Sequence, residues 1–284
     1  MNKHSFQFED KINTNYTGYN QLVKFYHFCQ EKPPQSTIHL DFTNVEFFDG
    51  NLSALLLAIT YKLNKINGHS FSADTEMIKN RFDVLYRNGL FKDGNPIKDD
   101  RESTVPIQFF ETNDKEGFCE YVEKELLCHR GMPKEINNEL KSKISDDLLE
   151  VFCNTHHHAN TIDPFFVGGQ YYPTSGVLKF TMVDLGDGFL PRILKATNGE
   201  IKDSLKSIEW ALEGNSSKLA LDHCPGGLGI KNMYKYCKDS KGILQIISGN
   251  GYWSTELENT VFQGGRILPK SFVGTTINLF FKKS

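Results

Sequence analysis

The sequence predicts two mixed units in series, an α/β unit over residues 1–91 and an α+β unit over residues 105–284. Three observations carry this expectation. Before residue 92, short alternating apolar segments trade places with helical apolar patterns, as in an α/β layer. After residue 104, helical patterns come first and strand patterns cluster later, the order of an α+β fold. Between them, residues 92–104 (KDGNPIKDDREST) are rich in charge, Gly and Pro and lack any apolar period, as linkers do.

In chain order, Gly18 to Gln30 predicts a helix burying Leu22, Phe25, Tyr26 and Cys29. Thr37 to Phe42 alternates with period two and predicts a strand, which Val45 to Phe48 continues. Asn51 to Ile66 places Leu52, Leu55, Leu56, Ile59, Leu63 and Ile66 on one helical face, and Asn67-Gly68 ends it. Ser53 would act there as a simple cap hydroxyl. Ser70 to Ala73 predicts a second strand, and Asp74 or Thr75 caps a helix running to about Asn88. In the second unit, Val105 to Glu111 predicts a strand, and helices follow over Asp114 to Cys128 and Lys134 to Ala159. Val177 to Asp184, Ile243 to Ser248, Tyr252 to Glu258 and Thr275 to Phe281 predict a largely antiparallel sheet. Ser248-Gly249-Asn250-Gly251 is its hairpin turn, since Gly and Asn tolerate positive φ.

Composition narrows the function. The chain has 284 residues, 39% hydrophobic and 24% charged, which is ordinary globular composition. Thirty-two basic against 35 acidic side chains leave a net charge of −3, so no basic excess points to nucleic acid or an anionic membrane. A local phosphate site remains open, because such sites use backbone N–H groups more than net charge. The longest apolar run, Leu52 to Ile59, falls far short of the ~20 residues that span a bilayer. Met1 to Asp10 carries acids and no apolar run, unlike a secretory leader. Six cysteines form no C-x-x-C pair, which suits buried thiols in a reducing cytoplasm.

Four constellations could carry chemistry. Glu150, Asn154 and His158 stand at i, i+4 and i+8 of a predicted helix; each step of four drifts only about 40°, so they share a stripe. A carboxylate, an amide and an imidazole on one ridge can position a hydroxyl and a metal-bound phosphate, although a solvated helix face has the same pattern. The triple histidine 156–158 does not make a metal site, because consecutive helical side chains diverge by about 100°. Asp184-Leu-Gly186-Asp-Gly188 ends a strand, where a carboxylate can accept from an exocyclic amine and glycines admit close backbone; an ordinary Asp-Gly turn is the alternative. Gly226-Gly227-Leu228-Gly229 opens a helix, and its N–H groups could cradle an anion, though the Lys-Ser/Thr of a P-loop is absent. Gly274-Thr275-Thr276 opens the last strand.

Taken together and in this order, the four motifs resemble those of the GHKL (Bergerat-fold) ATPases: gyrase-type ATPases, histidine kinases and anti-sigma-factor serine kinases. The resemblance covers residues 105–284 and implies a two-layer α+β domain that binds Mg²⁺ and ATP. It implies Glu150 as general base and Asn154 as Mg²⁺ ligand, with His158 at the basic position closing the first motif. It implies Asp184 on the adenine amino group, Gly186 and Gly188 shaping that pocket, and Thr276 beside adenine. Gly227, Leu228 and Gly229 would present N–H groups to the phosphates, and the region from Ile208 to Lys218 resembles a mobile ATP lid. Cys224-Pro225 replaces the family's glycine-arginine lead into the phosphate loop.

Residues 37–91 resemble a STAS domain, the class of anti-sigma-factor antagonists, through Ile38 to Asp49 and the apolar helix after it. That family's regulatory serine would follow Asp49, where Gly50 and Asn51 stand. The combined expectation is a cytoplasmic regulator with a protein partner, either a serine/threonine kinase or ATPase, or a non-catalytic ATP-gated switch. Its STAS-like part is expected to dock near the lid, in cis or across a homodimer.

Overall fold

In the computed structural model, residues 2–91, 98–158, 161–215 and 228–283 are described, without the side chains of residues 155–158. The fold is mixed α/β, built on a parallel three-stranded sheet and an antiparallel seven-stranded sheet.

The first sheet runs in the order β1-β2-β3, from β1 (Lys3–Ile12), β2 (Thr37–Phe48) and β3 (Ser70–Ala73). Helices α1 (Tyr16–Gln30) and α2 (Ser53–Asn67) supply its crossovers. Asn15 caps α1 by accepting from the Gly18 N–H at 3.0 Å, and Gly68, at φ 67°, ends α2 in the left-handed region. Ser53 is fully buried, and its hydroxyl accepts from Asn88 at 3.0 Å rather than capping α2. The helix expected from Asp74 to Asn88 is two, α3 (Thr75–Arg81) and α4 (Val84–Arg87).

The second sheet has the order β4-β5-β6-β10-β7-β8-β9. It is assembled from β4 (Thr104–Phe110), β5 (Phe165–Tyr172), β6 (Val177–Asp184), β7 (Ile243–Ser248), β8 (Gly251–Ser254), β9 (Gly265–Ile267) and β10 (Thr275–Lys282). The strand expected over Tyr252 to Glu258 turns at Ser254 into a short 3₁₀ segment. Helices α5 (Lys115–Tyr121), α6 (Asn138–His158), α7 (Leu190–Ala196), α8 (Ser204–Leu212) and α9 (Gly229–Asp239) belong to this unit, and α5 continues into a π-helical turn over Val122–Leu127. Asn137 caps α6 by accepting from the Leu140 N–H at 2.9 Å, so the helix starts later than Lys134.

Strand alternation sorts the second sheet into two faces. Phe180, Met182, Ile246 and Ile277 enter one core with Leu148, Phe152, Ile208 and Met233 of α6, α8 and α9. Phe166, Val183, Ile247 and Tyr252 enter another core with Tyr19 of α1, Leu52 just before α2, and Leu55 and Ile59 of α2. The N-terminal unit therefore covers the sheet face turned away from α6, α8 and α9.

This interface is polar as well as apolar. Asp49, in the loop after β2, accepts from the Thr14 N–H at 2.6 Å and from Lys179 Nζ of β6 at 2.7 Å. Asp163, just before β5, pairs with Lys62 and Lys65 of α2, each at 2.5 Å. The described end of the expected linker is tied down too: Asp99 accepts from Arg87 Nη1 at 2.5 Å and from the Ser103 and Thr104 N–H groups at 2.7 Å.

Candidate functional site

The site is assembled at one end of the seven-stranded sheet, on its helical face. Chain connectivity sets this. Helix α6 leads into β5, whose Phe166 pairs with Val183 next to Asp184, so the last turns of α6 lie toward that end. Helix α9 leads into β7 and runs back along it, which sends its N-terminus toward Ser248, where β7 ends. Phe152 anchors α6 by stacking on Phe118 at 4.6 Å and meeting Phe165 edge-on at 5.3 Å.

The strand-end cluster is centred on Asp184. Thr275 of β10 lies directly opposite Asp184 and also opposite Ser248 of β7, so these three side chains share the helical face. Asp184 Oδ1 accepts from the Gly186 N–H at 2.9 Å. Burial pushes the Asp184 carboxyl up to about 6, against hydrogen bonds from Gly186 and Thr275. In its ionised form the carboxylate is an acceptor for an N–H donor.

Two glycines make this corner. Gly188 has φ 73°, and a Cβ there would stand 2.6 Å from Ser248 Oγ, which already accepts from the Phe189 N–H at 2.9 Å. Gly274 has φ 89°, and its Cβ would stand 2.0 Å from the Asp184 carbonyl oxygen. Gly186 is buried at a negative φ, so its use is the N–H it gives Asp184 rather than backbone freedom.

Thr276 does not join this cluster. Its register partners are Val183 and Ile247, which face the N-terminal unit, and its buried hydroxyl has no hydrogen-bond partner among the described residues. A step of one residue along a strand reverses the face, so the hydroxyl beside Asp184 belongs to Thr275.

The second cluster joins α6 to the start of α9. Glu150 Oε2 accepts from the Gly229 N–H at 2.9 Å, and Asp147 Oδ1 accepts from Asn232 Nδ2 at 2.8 Å. A Cβ on Gly229 would stand 2.9 Å from the Asp147 carbonyl oxygen and 3.1 Å from Glu150 Cβ, so only glycine lets the helices close to this distance. The carboxylate at the helix N-terminus is favourable in its own right. Burial pushes Asp147 up to about 6, opposed by the Asn232 hydrogen bond and reinforced by the Glu150 charge.

Asn154 lies one turn beyond Glu150 on the same ridge and is partly exposed. His158 is the last residue of α6, and its side chain lies outside the described residues, as does Gly227. Leu228 is the exposed residue preceding α9. Part of the expected lid is core instead: Ile208 and Leu212 of α8 are buried, and Asp203 caps that helix through the Lys206 N–H at 2.8 Å. Residues 216–218 of that segment lie outside the described residues.

Sequence reasoning gave no site role to Asp147, Asn232 or Ser248, and of the paired threonines it chose Thr276 rather than Thr275. Asp147 stands three residues before Glu150, a same-face spacing that could have flagged it. Thr275 and Thr276 cannot be told apart until the strand register is known. Among the described residues, no helix is long and apolar enough to cross a membrane, and no group of three His, Cys, Asp or Glu side chains could hold a metal. Comparison with family models, curated proteins and solved structures found no match to this chain.

Proposed function

We propose that residues 105–284 form a nucleotide-binding unit of the GHKL type that takes Mg²⁺ and ATP, fused to a STAS-like N-terminal unit. The observation that supports it best is the gathering of Asp184, Thr275, Glu150 and Gly229 at one end and on one face of a sheet, from motifs spread over 126 residues of sequence. In this reading Asp184 accepts from the adenine amino group, Thr275 flanks it, and the Gly188 corner brings backbone close to the base. The helical face of the strand ends would then hold the base, and the α6–α9 junction the phosphates. Asn154 offers the hard oxygen that Mg²⁺ prefers; Mg²⁺ keeps waters and phosphate oxygens as its other ligands, so one protein ligand fits. When bound, the ion would supply charge neutralisation at the phosphates.

As an enzyme, the protein would use Glu150 to remove a proton from a partner's serine or threonine hydroxyl, or from water, during γ-phosphoryl transfer. One observation favours the second reading, a binding switch without turnover. The Glu150 carboxylate is bonded to the Gly229 N–H, a donor that the phosphate role requires. An arriving phosphate would compete with Glu150 for that donor, so binding would reset the α6–α9 contact. A cytoplasmic setting agrees with Cys29, Cys119, Cys128 and Cys237 carrying thiols outside any disulfide among the described residues. The partner would be a protein; neither nucleic acid nor membrane suits a net charge of −3.

Radiolabelled ATP, offered to the purified protein with a cell extract, separates these readings. Label on a protein identifies a kinase, free phosphate an ATPase, and bound but unconverted ATP a switch. Glu150→Gln should abolish either conversion, and a failure to bind ATP would end the proposal.

A further inference from the structure

A buried polar cluster outside the candidate site lies where the loop after β2 meets the back of the seven-stranded sheet. Asn51 Nδ2 donates to Thr181 Oγ1 at 2.8 Å, and Thr181 Oγ1 donates to Asn278 Oδ1 at 2.7 Å. All three side chains are fully buried. The Gly50 N–H donates to Gln170 Oε1 at 2.6 Å, and Asn88 Nδ2 holds the loop from behind through the Gly50 carbonyl at 3.1 Å. The segment after Asp49 is thus folded onto this chain's own sheet.

Position in the strands gives this chain of bonds its meaning. Thr181 and Asn278 are register partners on β6 and β10. Thr181 stands three residues before Asp184, and Asn278 three residues after Thr275, on the opposite face. The distance along each strand is about 10 Å, over which a paired strand is stiff. The one hydroxyl proton of Thr181 is committed to Asn278, so its lone pairs are what Asn51 can reach, and the bonds run in a single direction. A loop residue of the N-terminal unit therefore grips, from behind, the two strands whose ends hold the candidate adenine site.

We propose that Asn51, acting through Thr181 and Asn278, is a positioning residue that sets the strand ends carrying Asp184 and Thr275. The N-terminal unit then tunes the site through the sheet, without touching what binds there. The affinity arm of the test rests on the nucleotide reading above; the exchange arm does not.

The test compares Thr181→Val with Thr181→Ser in the full chain. Valine keeps the shape and removes the hydroxyl, whereas serine restores it. In Thr181→Val, exchange of the Gly186 amide, scaled to that of the slowest-exchanging amides of the chain, should quicken, and the Kd for Mg-ATP should rise by about threefold to tenfold. Thr181→Ser should match the wild type in both. If Thr181→Val is merely less stable, with scaled Gly186 exchange and affinity unchanged, the inference is overturned. Should Thr181→Val not fold, Asn51→Ala leaves the Thr181–Asn278 bond in place and is read the same way. If the wild type binds no ATP, the nucleotide reading falls and the Gly186 exchange alone decides.

Discussion

The Asp49 carboxylate and the Lys179 ammonium meet across the boundary between the two units at 2.7 Å, with their side chains 1% and 19% exposed. Thr14, through its N–H and hydroxyl, and the Tyr172 hydroxyl fill the remaining acceptor capacity of Asp49. Removing one member of such a pair strands a buried charge, at a cost of about 3–5 kcal/mol. Asp49→Ala should lower the stability of the whole chain by that order, and urea unfolding should stay a single transition. A first transition confined to the N-terminal unit would show that the two units fold separately.

The two adjacent threonines of the last strand should behave oppositely. Thr275→Val removes a hydroxyl bonded to Asp184 and should weaken nucleotide binding by about tenfold. Thr276→Val replaces a buried hydroxyl that has no hydrogen-bond partner among the described residues, so it should leave affinity alone and be neutral or slightly stabilising. Titration calorimetry and thermal melts on the two variants check this. Equal losses of affinity would contradict the face assignment.

Asp147 and Asp184 carry their carboxyls up to about 6, from the usual 3.8. An acid raised on folding binds its proton more tightly in the folded chain. Its contribution to stability is therefore full below about 4 and is lost as pH rises through about 6. Asp99 runs the other way: despite burial, hydrogen bonds from Thr104 and Arg87 hold it below the usual range, so its contribution is lost as pH falls. Unfolding from pH 4 to pH 7 should show Asp147→Asn losing less stability over this window than the wild type. An identical slope would remove the case for a buried, proton-binding Asp147.

Much of this architecture was legible in the sequence where pattern and punctuation agreed. Helix α2 shows an apolar stripe ended by a glycine, and β6 and β10 are apolar runs bounded by turns. Strand β1 was missed although Phe6 and Phe8 alternate, because charged residues crowd its second half, where it shifts register against β2. Strand β5 was missed because Gly168 and Gly169 interrupt it; a Cβ on Gly169 would stand 2.7 Å from the Lys179 carbonyl oxygen of the next strand. At the candidate site, Asp184, Gly188 and Glu150 were readable as residue types at telling spacings. The choice of Thr275 over Thr276 was not, since it depends on which face of β10 meets the helices. Nor was the docking face of the N-terminal unit, which is set by tertiary partners such as Lys179 and Thr181 that no local pattern marks.

The central claim is that the strand-end carboxylate of Asp184 recognises a nucleotide base. Titration calorimetry of the full chain with Mg-ATP, repeated on Asp184→Asn, tests it most directly. The account predicts saturable binding by the wild type and a loss of about tenfold to over a hundredfold in Asp184→Asn, the cost of about 1–3 kcal/mol for a buried hydrogen bond left unmade. Binding of equal strength by both proteins, or by neither, would contradict it.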